Sequence, residues 1–142
     1  MNNVEQLIQH VFDAYKAAVF AKDADAFVAL YHEDVCVFDL WGTWSYNGIE
    51  AWRTMVVEWF GSLGSERVVV EVARVQTRVT NDLAVAYAFI SYTGVSVEGK
   101  ALRTMHNRLT WALKQHGSAW KIIHEHSSAP VDFETSKVLL QR

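Results

Sequence analysis

The sequence contains one cysteine, Cys36, and one proline, Pro130, among its 142 residues. A lone cysteine cannot form an internal disulfide, so we expect a protein of the reducing cytoplasm. The scarcity of proline, with 51% hydrophobic residues and no low-complexity run, is typical of a globular chain rather than a disordered one. The length predicts a single domain that buries its own core.

Basic residues are also too few for a nucleic-acid-binding protein. Lys and Arg number 13 against 16 Asp and Glu, a net charge of −3, whereas binding to phosphates requires a basic surface. No apolar run is long enough to cross a bilayer, and the N-terminus lacks the pattern of a secretory signal. We therefore expect neither a nucleic-acid nor a membrane partner. Glycine-rich phosphate-binding motifs and metal-type Cys/His spacing are absent too, so the sequence predicts no cofactor and no metal.

The first half of the sequence predicts helices. Apolar residues recur at helical spacing over 4–19, and Asp23 is placed to cap a short second helix. Asn47 and Glu50 resemble a capping box at the start of a third helix, which we expect to end at Gly61 and Gly64.

From residue 67 onward the hydrophobic period changes to two, which predicts strands. Helices followed by antiparallel strands specify an α+β domain, with the helices packed on one face of a bent sheet. The predicted strands cover 35–41, 67–79, 83–97, 100–115 and 119–128.

Three segments carry a resemblance to a known family. In chain order they read AYKAAVFAKD, YHEDVCVFDLWG and HNRLTW. With the element order above, the chain resembles the SnoaL-like and ketosteroid isomerase-like branch of the nuclear transport factor 2-like superfamily. The resemblance covers 1–130 as one SnoaL-like domain and leaves 131–142 as a C-terminal tail or short extension. It implies a cystatin-like α+β cone, in which a strongly curved antiparallel (mixed) sheet wraps around N-terminal helices and encloses an apolar pocket, and it implies a homodimer.

The same resemblance supplies candidate catalytic residues. Asp39 falls at the position of the isomerase's catalytic aspartate, and Tyr15 at that of its oxyanion-hole tyrosine. Asn107 stands where the isomerase has an aspartic acid, and a carboxamide can also donate a hydrogen bond to a developing oxyanion. Asp39 would then act as the base, with Tyr15 and Asn107 stabilising an enolate. The alternative is structural: Asp39 solvates a strand end, and Tyr15 is a core residue with a satisfied hydroxyl.

The strand around Asn107 has two alternative alignments. One places Asn107 inside, and the other makes Arg108 and Thr110 the inward residues. Alternation favours Asn107, because it shares a side with bulky apolar residues. A regular hairpin would then bring Asn107 near His126, and would place Arg108 opposite Glu125 on the other face.

Aromatic and basic residues are further candidates for ligand binding. Aromatic faces offer large contact area to a flat apolar molecule, and a guanidinium can clamp a carboxylate. Regular alternation puts His124 and His126 on one strand face with Trp120 and Ile122, where both imidazoles can approach one ligand, but we find no third partner for a metal. The candidate ligand-binding residues are Trp41, Trp44, Trp52, Arg108, His124 and His126.

These features predict a protein that binds a small apolar or aromatic ligand. The enzymatic interpretation is a cofactor-free isomerase, cyclase or dehydratase that transfers a proton on a small carbonyl compound. The competing interpretation is a non-catalytic ligand-binding or homo-oligomeric association module. It arises because the segment AWKIIHEHSSAP also resembles the closing strand of the calcium/calmodulin-dependent kinase II association domain.

Overall fold

The computed structural model describes residues 3–142. Over this range the chain begins with helices and continues with long strands, so the expected α+β class is confirmed. None of the helices in this part of the chain is long and apolar enough to cross a membrane. The elements are α1 (Asn3–Ala21), α2 (Ala24–Val28), β1 (Tyr31–Phe38), β2 (Tyr46–Asn47), α3 (Ile49–Ser62), β3 (Arg67–Thr80), β4 (Leu83–Val95), β5 (Ala101–His116) and β6 (Ala119–Ser128).

Helices α1 and α2 follow the predicted pattern. The buried face of α1 includes Phe12, Tyr15 and Val19, spaced three and four residues apart. Asp23 caps α2, since its Oδ1 accepts a hydrogen bond from the Ala26 amide at 3.0 Å. Local sequence signals are therefore sufficient to set these two helices.

The start of α3 differs from the prediction. Its N-cap is Gly48, which has a φ of 90° and makes no side-chain cap, so the predicted capping box of Asn47 and Glu50 is wrong. Asn47 belongs to β2 instead, and the Gly48 amide donates to the Val35 carbonyl at 2.7 Å. Glycine suits this position because residues with a Cβ rarely adopt such a φ. The helix ends at Ser62, between Gly61 and Gly64, the two glycines at which we expected it to end.

The described strands form one mixed, open sheet in the order β2-β1-β6-β5-β4-β3. β1 runs parallel to β6, and the other neighbouring pairs are antiparallel. β1 begins before residue 35 because Tyr31 already pairs with Ile122 of β6. α1 packs against β3 and α3 against β1, which places the helices on one face of the sheet, as predicted.

The core between α1 and the sheet combines small and large side chains. On β4, every second residue from 84 to 88 is a buried alanine, and its partner on β5 is large. Ala86 pairs with Trp111, whose ring stacks on Phe12 of α1 with centroids 4.2 Å apart. The alanines leave room for this stacking, and close packing fixes α1, and with it Tyr15, over the sheet.

A β-bulge in β6 interrupts the regular pairing with β5. Leu113 of β5 pairs with Ile122, and the preceding β5 residue, Ala112, pairs with His124. Ile123 is therefore an extra residue that has no partner of its own in β5. A bulge of this kind bends the strand and shifts its alternation of faces by one residue.

The bulge decides which β6 side chains point towards the helices. Glu125 and Ser127 are buried on this inner face. His124 and His126 consequently lie on the outer face, so the prediction that they share a side with Ile122 is wrong. Regular alternation would have required a strand without the extra residue.

The register of the β5–β6 hairpin is also different from the predicted one. Arg108 pairs with Ser128, three residues beyond the predicted partner Glu125, and Asn107 lies beyond the last β6 partner rather than near His126. His116 pairs with Ala119 across the turn, which shifts the register by two residues from the predicted one. The bulge at Ile123 shifts it by one more, and together these give the three-residue difference.

Candidate functional site

The helices and the inner face of the sheet enclose a cavity of about 570 Å³. A largely apolar, aromatic lining of this kind suits a small flat molecule. The helices and the C-cap residue of α3 contribute Tyr15, Phe27, Trp52, Met55, Trp59 and Leu63. Polar groups from the sheet side include Asp39, Tyr92, Arg103, Thr104, Asn107, Glu125 and Ser127.

Asp39 lies directly after β1, at the wall of the cavity. Its Oδ1 accepts a hydrogen bond from Ser127 Oγ at 3.0 Å, and the same Oγ accepts one from the Leu40 amide at 2.9 Å. Burial raises the pKa of Asp39 above its usual range, while the hydrogen bonds from Ser127 and from the Trp41 and Leu40 amides oppose this rise. The site therefore holds a carboxylate that is oriented, partly desolvated and open to the cavity.

Glu125 supplies a second carboxyl group in the same cavity, and this residue is only 3% exposed. Its Oε1 accepts hydrogen bonds from Tyr31 Oη at 2.5 Å and from Trp111 Nε1 at 2.8 Å. Burial raises the pKa of Glu125 to about 7. The two hydrogen bonds oppose this rise, and the negative charge on Asp39 adds to it. At neutral pH a large fraction of the molecules therefore carries a proton on Glu125.

A pair of tyrosine hydroxyls faces these carboxyl groups. Tyr15 Oη and Tyr92 Oη lie 2.9 Å apart and share a hydrogen bond. Burial raises the pKa of both hydroxyls, and the charge on Glu125 raises both further. Both tyrosines therefore stay protonated and can act as hydrogen-bond donors.

Asn107 lies beside this hydroxyl pair on the inner face of β5. It is 8% exposed. Its hydrogen bond to the Tyr92 hydroxyl lowers the pKa of that group, but burial raises this pKa by more. Its Oδ1 has no hydrogen-bond partner among the described residues. A buried polar atom without a partner costs free energy, which a ligand in the cavity can recover.

The structure brings together part of the set of residues predicted from the sequence. The three candidate catalytic residues, Asp39, Tyr15 and Asn107, all line the cavity, and so do Trp41 and Trp52.

The other four candidates for ligand binding lie outside the cavity lining. Trp44 is 97% exposed in the loop that follows β1. Arg108 donates from Nε to Ser128 Oγ at 3.1 Å on the outer face. His124 places its Nδ1 2.7 Å from the Cys36 carbonyl, and the ring of His126 packs near Phe38 with centroids 5.6 Å apart. Their roles as ligand-binding residues remain predictions that would require a surface site.

Sequence reasoning missed several polar residues of the cavity, among them Tyr92, Glu125 and Ser127. Tyr92 could have been found, because alternation along β4 from Ala84 places every even-numbered residue on the inner face. Glu125 and Ser127 could not, because the bulge reverses the alternation that precedes them.

Potential metal ligands cluster at one place in residues 3–142, away from the cavity lining. His32, Glu33 and Asp34 have ligand atoms within 4.8 Å of one another, on the exposed start of β1. The Asp34 amide donates to His32 Nδ1 at 3.0 Å, which occupies one of the two ring nitrogens. Exposed acidic groups of this kind are common without a metal.

A curved, open mixed sheet that encloses a cavity with N-terminal helices defines a nuclear transport factor 2-like α+β protein. The sequence model of the SnoaL-like domain matches residues 8–132, and the chain therefore belongs to this family, as the resemblance indicated. A search of curated proteins gave no match.

Solved structures of the same fold come from several bacteria. An NTF2-like protein of unknown function from Pseudomonas putida is 26% identical with a TM-score of 0.85, over 98% of this chain and 95% of that one. A provisionally assigned calcium/calmodulin-dependent protein kinase II association domain from Xanthomonas campestris is 19% identical with a TM-score of 0.73, over 87% and 85%. A nuclear transport factor 2 superfamily protein from Salmonella enterica is 17% identical with a TM-score of 0.72, over 96% and 97%. Identities below a quarter indicate a shared fold and leave function to be argued from the site.

Proposed function

We propose that the protein binds a small apolar carbonyl compound and catalyses cofactor-free proton transfer on it, as an isomerase, cyclase or dehydratase does. The observation that carries this proposal is the presence of two carboxyl groups with raised pKa, Asp39 and Glu125, in one apolar cavity. Carboxyl groups are rarely buried, whereas acid-base catalysis at neutral pH requires groups with such shifted pKa values.

Asp39 is the proposed base. Because burial raises its pKa, its carboxylate binds a proton more strongly than an exposed aspartate does. Ser127 holds Oδ1 in place, and a C–H group beside a substrate carbonyl can approach the carboxylate from the cavity. Transfer of this proton to Asp39 leaves negative charge on the carbonyl oxygen.

The tyrosine pair and Asn107 are the proposed partners of that oxygen. One hydroxyl proton of the pair makes the hydrogen bond between Tyr15 and Tyr92. The proton of the other hydroxyl can make a hydrogen bond to the enolate oxygen. The side-chain amide of Asn107 can turn about its last torsion, so that either its nitrogen donates to a ligand or its oxygen accepts from one. The surrounding aromatic side chains exclude water, which strengthens these hydrogen bonds.

Glu125 is the proposed acid. Since Oε1 accepts both of its protein hydrogen bonds, Oε2 can carry the proton that a pKa of about 7 retains. The substrate then loses one proton to Asp39 and gains one from Glu125, so that its composition is unchanged, as in an isomerisation. Exchange with solvent returns both carboxyl groups to their starting states.

The variant Asp39→Asn tests the proposal. Phenolates mimic an enolate, and we expect them to stabilise the protein against heating, more strongly in the variant because the repelling carboxylate charge is removed. Apolar enones that stabilise the wild type are then assayed for turnover, which we expect Asp39→Asn to reduce by about 10²- to 10⁴-fold while it preserves affinity.

Asp82→Asn is the matched control, since Asp82 is exposed in the turn between β3 and β4. It should leave both phenolate binding and turnover unchanged. An undiminished rate in Asp39→Asn would remove Asp39 from the mechanism. A lack of stabilisation of either protein by any phenolate would contradict the proposed oxyanion site.

An association function is a second candidate, because the outer face of the sheet exposes apolar side chains. Leu83, Val85 and Tyr87 on β4 are each more than 40% exposed, and they alternate with the buried alanines. A second copy of the chain that pairs through this face would bury them, in agreement with the homodimer that the resemblance implies. Sedimentation velocity of the wild type and of Val85→Glu tests this proposal, and a wild-type monomer at micromolar concentration would contradict it.

A further inference from the structure

The SnoaL-like match ends at residue 132, but the cavity does not end with it. Leu140 and Gln141, near the C-terminus, line the cavity together with Arg103, Thr104 and Met105 of β5. Part of the wall is therefore built by a segment outside the portion of the chain that matches the family. Residues 139–142 are the last part of the extension predicted at 131–142, and from here on the word tail means these four residues alone.

A tight turn directs the tail back towards the sheet. Asp132 Oδ1 accepts hydrogen bonds from the Glu134 and Thr135 amides at 2.9 and 3.0 Å. Val131 before the turn and Val138 after it form an antiparallel bridge. The turn reverses the chain after β6 and sends the tail along β5.

The tail pairs with a part of β5 that β6 does not reach. β6 ends opposite Arg108, so that the first half of β5 has β4 on one side and a free edge on the other. The His106 amide donates to the Leu140 carbonyl at 2.7 Å, and Gln141 Nε2 donates to the Thr104 carbonyl at 2.7 Å. The tail thus continues the sheet where β6 stops.

The two ends of the cavity differ in chemistry. Asp39, Glu125 and Ser127 stand where β1 and β6 adjoin, and two of them are carboxyl groups. The β5 and tail side has no carboxyl group among its lining residues and presents the apolar side chains of Met105 and Leu140 beside Arg103, Thr104 and Gln141. A ligand long enough to reach from the carboxyl groups to the tail places the part remote from its reacting group against the tail. That part determines how well ligands of different size fit.

We infer that Leu140 and Gln141 are specificity-determining residues, and that the tail limits the size of the apolar substituent that the ligand carries away from its reacting group. The inference rests on the proposed function only in taking this cavity as the ligand site, and it requires no catalysis. Leu140 is half-buried and, with Met105, forms the apolar part of this wall.

The test compares the affinities of uncharged phenol and para-butylphenol by calorimetric titration. Truncation in Leu140→Ala should raise the ratio of butylphenol to phenol affinity by about tenfold, and filling in Leu140→Trp should lower it by about tenfold. Leu139→Ala is the matched control, because Leu139 is 45% exposed and does not line the cavity. It should leave the ratio unchanged.

Removal of residues 140–142 provides an independent measurement. Exchange of the His106 amide hydrogen should accelerate, since its acceptor is the Leu140 carbonyl, and the affinity ratio should change in the same direction as in Leu140→Ala. Binding by all variants with a constant ratio would overturn the inference and leave the proposed function intact. Absence of binding to the wild type would overturn both the inference and the proposed function. The turnover assay of Asp39→Asn uses neither phenol nor para-butylphenol, so it tests the proposed function separately.

Discussion

Ser127 and Ser128 are neighbours in β6 with identical side chains and different surroundings. Ser127 is buried on the inner face, where its hydroxyl donates to Asp39 and accepts from the Leu40 amide. Ser128 lies on the outer face, where its hydroxyl accepts from Arg108 Nε. The first serine orients a carboxylate in the cavity, and the second makes a surface contact.

The same contrast separates Glu125 from His126. Glu125 is buried beside Tyr31 and Trp111, and its pKa rises to about 7, whereas His126 is exposed near Phe38. One extra residue in β6 assigns each side chain to its face. The comparison teaches that residue type suggests a chemical role, while strand register decides whether the residue can perform it.

The largest expected effect comes from removing the inner carboxyl. Glu125→Ala leaves the Tyr31 hydroxyl and the Trp111 indole N–H buried without their acceptor. Because each orphaned group costs about 1–3 kcal/mol, we expect the free energy of unfolding to fall by about 4 kcal/mol. His126→Ala on the outer face should change it by less than about 0.5 kcal/mol. Urea unfolding of both variants checks the difference, and equal losses would contradict the assignment of faces.

The second effect is a dependence of stability on pH. The pKa of Glu125 is raised from 4.5 to about 7, so between these values the folded protein keeps a proton that the unfolded chain releases. The free energy of unfolding should therefore fall as pH rises across this window, by about 3 kcal/mol, and then level off. Asp39, whose pKa is raised from 3.8, adds to the fall in the same direction. Urea unfolding at several pH values measures it.

Glu125→Gln is the control for this dependence. Glutamine keeps a side-chain oxygen that can accept from Tyr31 and Trp111, but it does not titrate. Most of the fall in stability should disappear in this variant. A slope equal to that of the wild type would show that Glu125 is ionised in the folded protein over the whole range.

The smallest effect sharpens the comparison of the two serines. Ser127→Ala removes two hydrogen bonds and should cost about 1.5 kcal/mol, whereas Ser128→Ala should cost about 0.5 kcal/mol. Ser127→Ala should also raise the pKa of Asp39 further, because the bond from Ser127 lowers it. The pH at which turnover appears should then move upward in this variant alone. An identical shift in Ser128→Ala would contradict the positioning role.

Much of the candidate site follows from the sequence, although not all of it. Tyr15 lies on the inner face of α1 because the helical period places it with Phe12, and the resemblance pointed to Asp39 and Asn107. Glu125 was expected to be a surface partner of Arg108, and the bulge and the turn overturned that register. Trp44 was expected to bind the ligand, and it is 97% exposed although it is close to Asp39 and Trp41 in sequence.

The fold was more accessible than the site. Helical and strand periods report local burial, so α1, the cap at Asp23 and the long strands could be predicted from residues close together in the chain. The start of α3 could not, since Gly48 is fixed by a hydrogen bond to Val35 in another strand. Such contacts depend on how distant segments meet.

The sequence by itself determined the α+β class, the inner face of α1 and the family, because periodicity and recognisable segments are local properties. Only the tertiary structure decided that Ile123 bulges, that Glu125 shares a cavity with Asp39, and that the tail completes the wall at Leu140. The physical reason is that strand register, the pKa of a buried group and the closure of a cavity arise from packing between segments far apart in the chain. No short stretch of sequence contains that information.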